Sequence, residues 1–259
     1  VSGEIVCSFE ELDVLGEALR LDVRQFPFSI PHFAVEAEER LRLGRRTQDD
    51  FVARGLIRDG HLHADFVNVL KVYTRGRISI AMRGELEKEQ HLALAVIGDR
   101  ACVLAVQQGE TLRFAFARPE SVVRRLVGLL PQLKAGPGTS VTVVADPVPV
   151  GGRRPQEDFS EFTFTSAVRA DANAVKGDRA AAAEIFRRPR LGGGDFLVTV
   201  RDRNGRQNTP AVMSWLDTQA GRYAAVSSAD SAGRLHATYI PADPGVLDRQ
   251  LTRIVHSMS

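Results

Sequence analysis

The chain has 259 residues, 44% of them hydrophobic, with 34 basic residues against 32 acidic ones for a net charge of +2. That balance gives no net electrostatic basis for gripping nucleic acid or an anionic membrane, while the length allows a substantial core in one large or two small domains. No apolar run approaches bilayer length, and the start lacks a basic segment followed by an apolar core, so a cytoplasmic protein without membrane insertion is expected. Only four basic residues are lysine (Lys71, Lys88, Lys134 and Lys176), an arginine excess that reads as the codon usage of a GC-rich genome. Cys7 and Cys102 are the only cysteines, both in apolar strand-like contexts that suit a reducing compartment, and spacing alone does not say whether they pair.

In chain order, residues 4–7 read as a short strand. Ser8-Phe9-Glu10-Glu11 has capping-box spacing ahead of a helix through Leu19. Pro27 and Pro31 keep residues 26–31 extended. Residues 36–56 read as mostly helical, with Gly44 a weak point and Arg54-Gly55-Leu56 at the end. Gly60 turns the chain into a helix over 64–73. Strands follow over 77–83, 91–97, 101–106 and 111–117, turned at Gly98-Asp99-Arg100 and Gln108-Gly109. Pro119 then opens a helix carrying Val122, Val123, Leu126, Val127, Leu129, Leu130 and Leu133, which Pro131 kinks or ends. Residues 135–138 are a breaker cluster, 141–144 a strand, 147–158 a mobile loop rich in proline, and 159–166 an alternating strand.

The second half begins with a short helix over 178–188. Gly192-Gly193-Gly194 reads as a structural turn before a strand over 196–201. Asn204-Gly205 supplies two positive-φ residues for a tight hairpin turn into a strand over 211–217. Gln219-Ala220-Gly221 turns the chain into strands over 222–227 and 234–240. Asp243 is an N-cap with Pro244 in the first helical position, and Val246, Leu247, Leu251, Ile254, Val255 and Met258 form one stripe. A short helix, four strands and a helix thus occur twice, over approximately 64–134 and 178–258. The expected class is α+β, an internally duplicated antiparallel sheet with flanking helices in a single domain over 1–259.

Motifs of catalysis and metal binding are missing. His61-Leu62-His63 has no cysteine or carboxylate partner at ligand spacing and reads as an exposed turn before a helix. A strand follows the glycine triplet and the Gly-Lys-Ser/Thr ending is absent, so no helix N-terminus faces a phosphate. No nucleophile elbow or His-Glu-x-x-His pair is present, and neither cysteine has a nucleophile motif around it. Glu85, Glu87 and Glu89 with Asp99 suggest acid/base chemistry only on paper; a run this polar is a solvated loop. No catalytic residue, cofactor or metal is therefore assigned. Trp215, alternating with Met213, reads as a core aromatic. One positive clue comes from comparing the halves: where the second opens its loop with Asn204-Gly205, the first uses residues 84–90, highly charged around a lone apolar Leu86. Charged loops with an exposed apolar residue are where function tends to sit.

Several short motifs, in order, match a known family: the capped first helix, Arg54-Gly55-Leu56 with Gly60-x-Leu62, Arg188-Pro189-Arg190-Leu191-Gly192, Val200-Arg201-Asp202-Arg203-x-Gly205, Trp215-Leu216-Asp217-Thr218 and Gly221-Arg222-Tyr223. On these the chain resembles the EspG family, the cytosolic substrate chaperones of type VII (ESX) secretion in actinobacteria, over nearly its whole length; residues 150–177 have no clear counterpart. The resemblance implies a quasi-two-fold architecture around a central antiparallel sheet flanked by helical bundles. It also implies a non-enzymatic chaperone that covers the aggregation-prone helical tip of a secreted partner of the PE/PPE or WXG100-like kind and keeps it soluble until export. The family uses the loop between its second and third strands, the sheet face and the carboxy-terminal helices.

Counting 4–7 as the first strand, that loop falls on residues 84–90, so Glu85, Leu86, Glu87, Lys88 and Glu89 are the expected partner-binding residues. Residues 91–97 carry apolar side chains in both alternating sets, so one face can pack on helices while the other meets a partner or a second copy in a homodimer. The rival expectations are a small-molecule-binding protein or enzyme on a duplicated α+β scaffold, and a nucleic-acid adaptor using Arg153-Arg154 and Arg187-Arg188.

Overall fold

A computed structural model of the chain describes residues 4–34, 36–99, 101–145, 176–229 and 235–258. The predicted loop over 147–158, the strand over 159–166 and Arg153-Arg154 lie outside these residues. The elements are β1 (Ile5–Ser8), α1 (Phe9–Leu19), α2 (Ala37–Ala53), β2 (Ile57–Arg58), β3 (His61–Leu62), α3 (Ala64–Arg75), β4 (Ile78–Leu86), β5 (Glu89–Ile97), β6 (Cys102–Gln108), β7 (Thr111–Ala117) and α4 (Pro119–Val127). After them come β8 (Val141–Ala145), α5 (Lys176–Arg187), β9 (Arg190–Arg201), β10 (Gln207–Thr218), β11 (Gly221–Ala229), β12 (Leu235–Pro241) and α6 (Pro244–His256). The main sheet has the strand order β1-β7-β6-β5-β4-β9-β10-β11-β12-β8, and β2 and β3 form a separate two-stranded sheet. The class is α+β. Among the described residues no helix is long and apolar enough to cross a membrane. Two compact units emerge: residues 1–81, 92–126 and 199–208 form one, and 82–91, 127–198 and 209–259 the other.

In the first unit the capping box forms as its spacing predicts. The Ser8 hydroxyl accepts from the Glu11 amide at 3.1 Å, and the Glu11 carboxylate accepts from the Ser8 amide at 2.8 Å. Strand β1 lies antiparallel on β7 with Cys7 opposite Leu112. Cys7 and Cys102 are free, buried thiols, and burial pushes the Cys7 thiol well above its ordinary range. Phe51 meets Phe66 edge-on at 5.8 Å and Tyr73 meets Phe114 at 5.2 Å, while the Tyr73 hydroxyl donates to the Val23 carbonyl. Arg54 stacks over the Phe51 ring, donates to Glu11 and reaches the Val6 carbonyl at 3.0 Å. The small hairpin β2–β3 was not expected. Asp59 (φ 50°) and Gly60 (φ 74°) are its two-residue turn, so Gly60 turns the chain between strands first and into α3 only afterwards. His63 then caps α3, accepting from the Asp65 amide.

The hairpin between β9 and β10 departs from expectation as well. Only Gly205 takes a positive φ (80°), so Asn204-Gly205 is not a two-residue turn. The Asp202 carboxylate accepts from the amides of Asn204 and Arg206, both at 2.8 Å, and the Asp202 amide donates to the Arg206 carbonyl. The result is a three-residue loop with its left-handed residue last, the form that follows a type I turn with a bulge.

Asp13 organises the helical side of this unit. Its carboxylate, 5% exposed, accepts from Arg24, Arg40 and the Phe33 amide, and so ties α1 to α2 and to the extended segment between them. Burial works to raise its pKa, but the hydrogen bonds from Arg40, Arg24 and Phe33 outweigh it and hold the carboxyl below its ordinary value. A depressed folded pKa adds stability that is complete above the unfolded value of about 3.9 and is lost as pH falls through the folded one. Wild-type melting temperature should therefore fall below about pH 4. Asp13→Asn should be less stable at neutral pH and show a flatter acid limb; parallel melting curves for the two proteins would count against this role.

In the second unit β10, β11 and β12 form a meander, with Trp215 opposite Ala224 and Tyr223 opposite Pro241, and β8 pairs with β12. Val141, Val143, Ala182, Ile185, Leu216, Tyr223, Ala225 and Tyr239 pack into one core. Asp243 caps α6, its carboxylate accepting from the Val246 amide at 2.7 Å, with Leu247, Leu251 and Val255 buried. Asp217 and Arg222 form a buried ion pair, and Arg222 also donates to the Pro131 carbonyl. The Tyr223 hydroxyl donates to the Pro137 carbonyl. Strand β9 begins at Arg190, so the glycine triplet is strand and not a turn.

Candidate functional site

Strand β4 runs on to Leu86 and β5 restarts at Glu89, so the expected loop over 84–90 is a hairpin tip with only Glu87 and Lys88 in its turn. Both take left-handed backbone, φ 53° and 70°, which such a turn demands and which Asn-Gly meets most easily. Side chains with a Cβ are disfavoured there by about 1–2 kcal/mol per residue. The tip therefore keeps two charged residues in a costly conformation. Glu85, Glu87, Lys88 and Glu89 are exposed, whereas Leu86 is buried at 5%. The expected exposed apolar residue is thus not Leu86; Leu191, at the start of β9, is 48% exposed.

The hairpin tip borders an open cleft of about 940 Å³. Arg83, Gly84, Glu85, Glu87, Lys88 and Gln90 line one side, Arg190 to Asp195 the other, and Trp215 also lines it. Close packing explains the glycines. A Cβ on Gly84 would sit 2.5 Å from the Trp215 ring, one on Gly192 would sit 2.6 Å from the Glu85 carbonyl, and one on Gly193 would sit 2.9 Å from the Trp215 carbonyl. Trp215 is fully buried and tilted against Phe196 with centroids 4.8 Å apart. Asp195, 4% exposed, accepts from the Ser214 hydroxyl at 2.5 Å. Burial raises its pKa, opposed by the Ser214 hydrogen bond and the charge of Arg83. Neither Nη2 of Arg83 nor Nε1 of Trp215 has a hydrogen-bond partner among the described residues.

Among the described residues no His, Cys, Asp and Glu group with metal-holding geometry occurs, and Arg187 of the basic pair considered above is bonded to Glu184. The cleft offers one exposed leucine, a charged rim and a glycine-rich wall, which suits the surface of a partner protein. Sequence reasoning placed the charged tip but missed Arg83, Leu191 and the cleft role of Trp215. The available signal was the glycine triplet, which in a strand marks close approach of backbone or a large side chain.

A family model, that of the EspG family, matches residues 8–253. The chain belongs to the EspG family. The EspG motifs in its sequence have structural roles: Arg54 ties α2 to β1, Gly55 and Gly60 hold positive φ, and Asp217, Arg222 and Tyr223 hold each other or the segment at 131–137. Among solved structures, the Mycobacterium tuberculosis type VII secretion system chaperone EspG5, in complex with a PE25-PPE41 dimer, is similar with a TM-score of 0.64 at 12% identity, over 95% of this chain and 93% of that one. At that identity the similarity speaks for the fold. No curated protein sequence matches the chain.

Proposed function

We propose that this EspG-family protein is a non-enzymatic, cytoplasmic chaperone for a type VII secretion substrate of the PE/PPE kind. It acts by reversibly covering the client's apolar helical tip. The observation that carries the reading is the open cleft beside the β4–β5 tip, with Leu191 exposed and Glu85, Glu87, Lys88 and Glu89 at or beside its rim. An exposed apolar contact inside a polar rim is the anatomy of a specific protein interface. Family membership and the likeness to EspG5 support the client class; a WXG100-like client and a homodimer through the sheet or its loops are secondary parts of the same reading. The recurring order of a helix, four strands that are neighbours in the sheet and a helix supports descent by duplication of halves near 64–134 and 178–258 within one domain.

Tagged protein purified from its native host, with the bound material identified by mass spectrometry, should carry a helical secreted protein or PE/PPE pair at stoichiometric ratio. Recovery of a tightly held metabolite and no protein would replace this reading with a ligand-binding one. Reversing charge with Glu87→Lys and Glu89→Lys should weaken client capture about tenfold while leaving the melting temperature unchanged. Replacing the turn by Glu87→Asn with Lys88→Gly should raise stability by about 1 kcal/mol, relieving the left-handed strain, and still weaken capture. Unchanged capture in both variants would remove the tip from the interface.

A further inference from the structure

The first unit carries a second charged surface, distinct in its residues from the cleft. Arg75 closes α3, Arg77 lies in the link to β4, Arg201 ends β9, and Arg203 and Arg206 stand on the hairpin loop that follows. Arg77 and Arg201 are brought side by side by the backbone, the Arg201 amide donating to the Arg77 carbonyl at 2.8 Å. Among the described residues none of these five arginines makes an ion pair. Arg24, Arg40, Arg46, Arg54 and Arg113 of the same unit all do. Among nearby acidic residues, Asp202 has its carboxylate committed to the amides of its own loop, Asp22 accepts from the Arg24 amide, and Asp99 is exposed on the turn after β5.

Between Arg77 and Arg201 lies a depression of about 10 Å³, lined also by Gln25, Ser79 and Gln207. That is room for about one water-sized group. Arg201 Nη2 has only a long contact of 3.5 Å to Gln25, and its buried Nε has no acceptor among the described residues. Phe26, next along the chain from Gln25, is 53% exposed.

We propose that this face docks an acidic protein segment, one carboxylate oxygen entering between Arg77 and Arg201, with an apolar neighbour of that residue resting on Phe26. Arginine forks match carboxylates in geometry as well as charge. An acidic protein segment fits better than nucleic acid on three counts: the depression admits a single oxygen, the arginines are confined to a helix end and one hairpin, and the whole chain carries only +2. The inference does not rest on the client reading and concerns a partner other than the one held in the cleft.

The test is fluorescence anisotropy of the full chain with a fluorescein-labelled peptide alternating glutamate and leucine. Its counterpart with glutamine for glutamate, and labelled oligo-dT, serve as comparison probes. The glutamate peptide should bind at low salt and weaken as salt rises. Arg77→Glu with Arg203→Glu should weaken it about tenfold at unchanged melting temperature, as should Arg203→Glu with Arg206→Glu. Glu87→Lys with Glu89→Lys should leave it unaltered. Equal binding of the glutamine peptide, unaltered affinity in both arginine variants, or tighter binding of oligo-dT would each overturn the proposal.

Discussion

Asp217→Ala is expected to destabilise the protein by about 3–5 kcal/mol, because it strands a guanidinium that has no exposure to water. Arg222 is 0% exposed and Asp217 3%. Nε of Arg222 donates to Oδ1 at 2.5 Å and Nη2 to Oδ2 at 2.8 Å, so the carboxylate takes the fork with both oxygens. With Asp217 gone, the Pro131 carbonyl at 3.0 Å is the sole remaining hydrogen-bond acceptor for that side chain among the described residues. The backbone of Arg222 is a junction too: its amide donates to the Lys134 carbonyl, and its carbonyl accepts from Gly136 and Ala242. Losing the pair therefore loosens the segment after α4 along with the β10–β11 turn. A fall in melting temperature of about 10 °C is expected for a chain of this size. The double change Asp217→Leu with Arg222→Met removes both charges and should be milder than either single change. A thermal melt in which Asp217→Ala loses under about 1 kcal/mol would show that the pair contributes little.

The second large effect is expected at Gly194→Ala. A Cβ there would fall 2.5 Å from both the Gly84 Cα and the Trp215 ring, and closer still to the Arg83 carbonyl. Backbone cannot retreat as a flexible side chain can, so overpacking should cost about 1–3 kcal/mol or more. Trp215 is the sole tryptophan, so fluorescence excited selectively in the indole band reports on this packing. The expected signature is a red-shifted emission maximum with an early melt, partly relieved by adding Trp215→Phe. Gly44→Ala is the contrasting case. Gly44 lies inside α2 with nothing within 4 Å of its added Cβ, and there alanine should stabilise by about 0.5–1 kcal/mol. Destabilisation of equal size at both positions would refute the packing account.

That contrast explains which parts of the fold could be read in advance. Ser8 to Glu11 and Asp243-Pro244 are local signals, complete within four residues or fewer, and both helices start where those residues place them. The glycine triplet was misread because a turn is what three glycines favour locally; a buried indole from β10 and the backbone of β4 decide otherwise. Asp59-Gly60 carried the right turn chemistry, but strands of two residues are too short for alternation to show. Glu87-Lys88 offered no signal at all, since neither residue favours a positive φ. The charged tip of the candidate site was visible as charge. The remaining walls, from Arg83 and from Leu191 to Trp215, come together only once β4, β9 and β10 are neighbours. Most of the motifs that carried the family resemblance hold the fold together, which is why they identified the family and said little about where a partner sits.

Arg54 has one more consequence. Among the described residues strand β1 ends the strand order and has a strand neighbour on one side, and an open flank of that kind is a template on which foreign chains add themselves. With only four residues, and with a guanidinium held on the Val6 carbonyl by Glu11, the flank offers little backbone to copy. A protein proposed to shield aggregation-prone clients thereby keeps this end of its own sheet from seeding their aggregation.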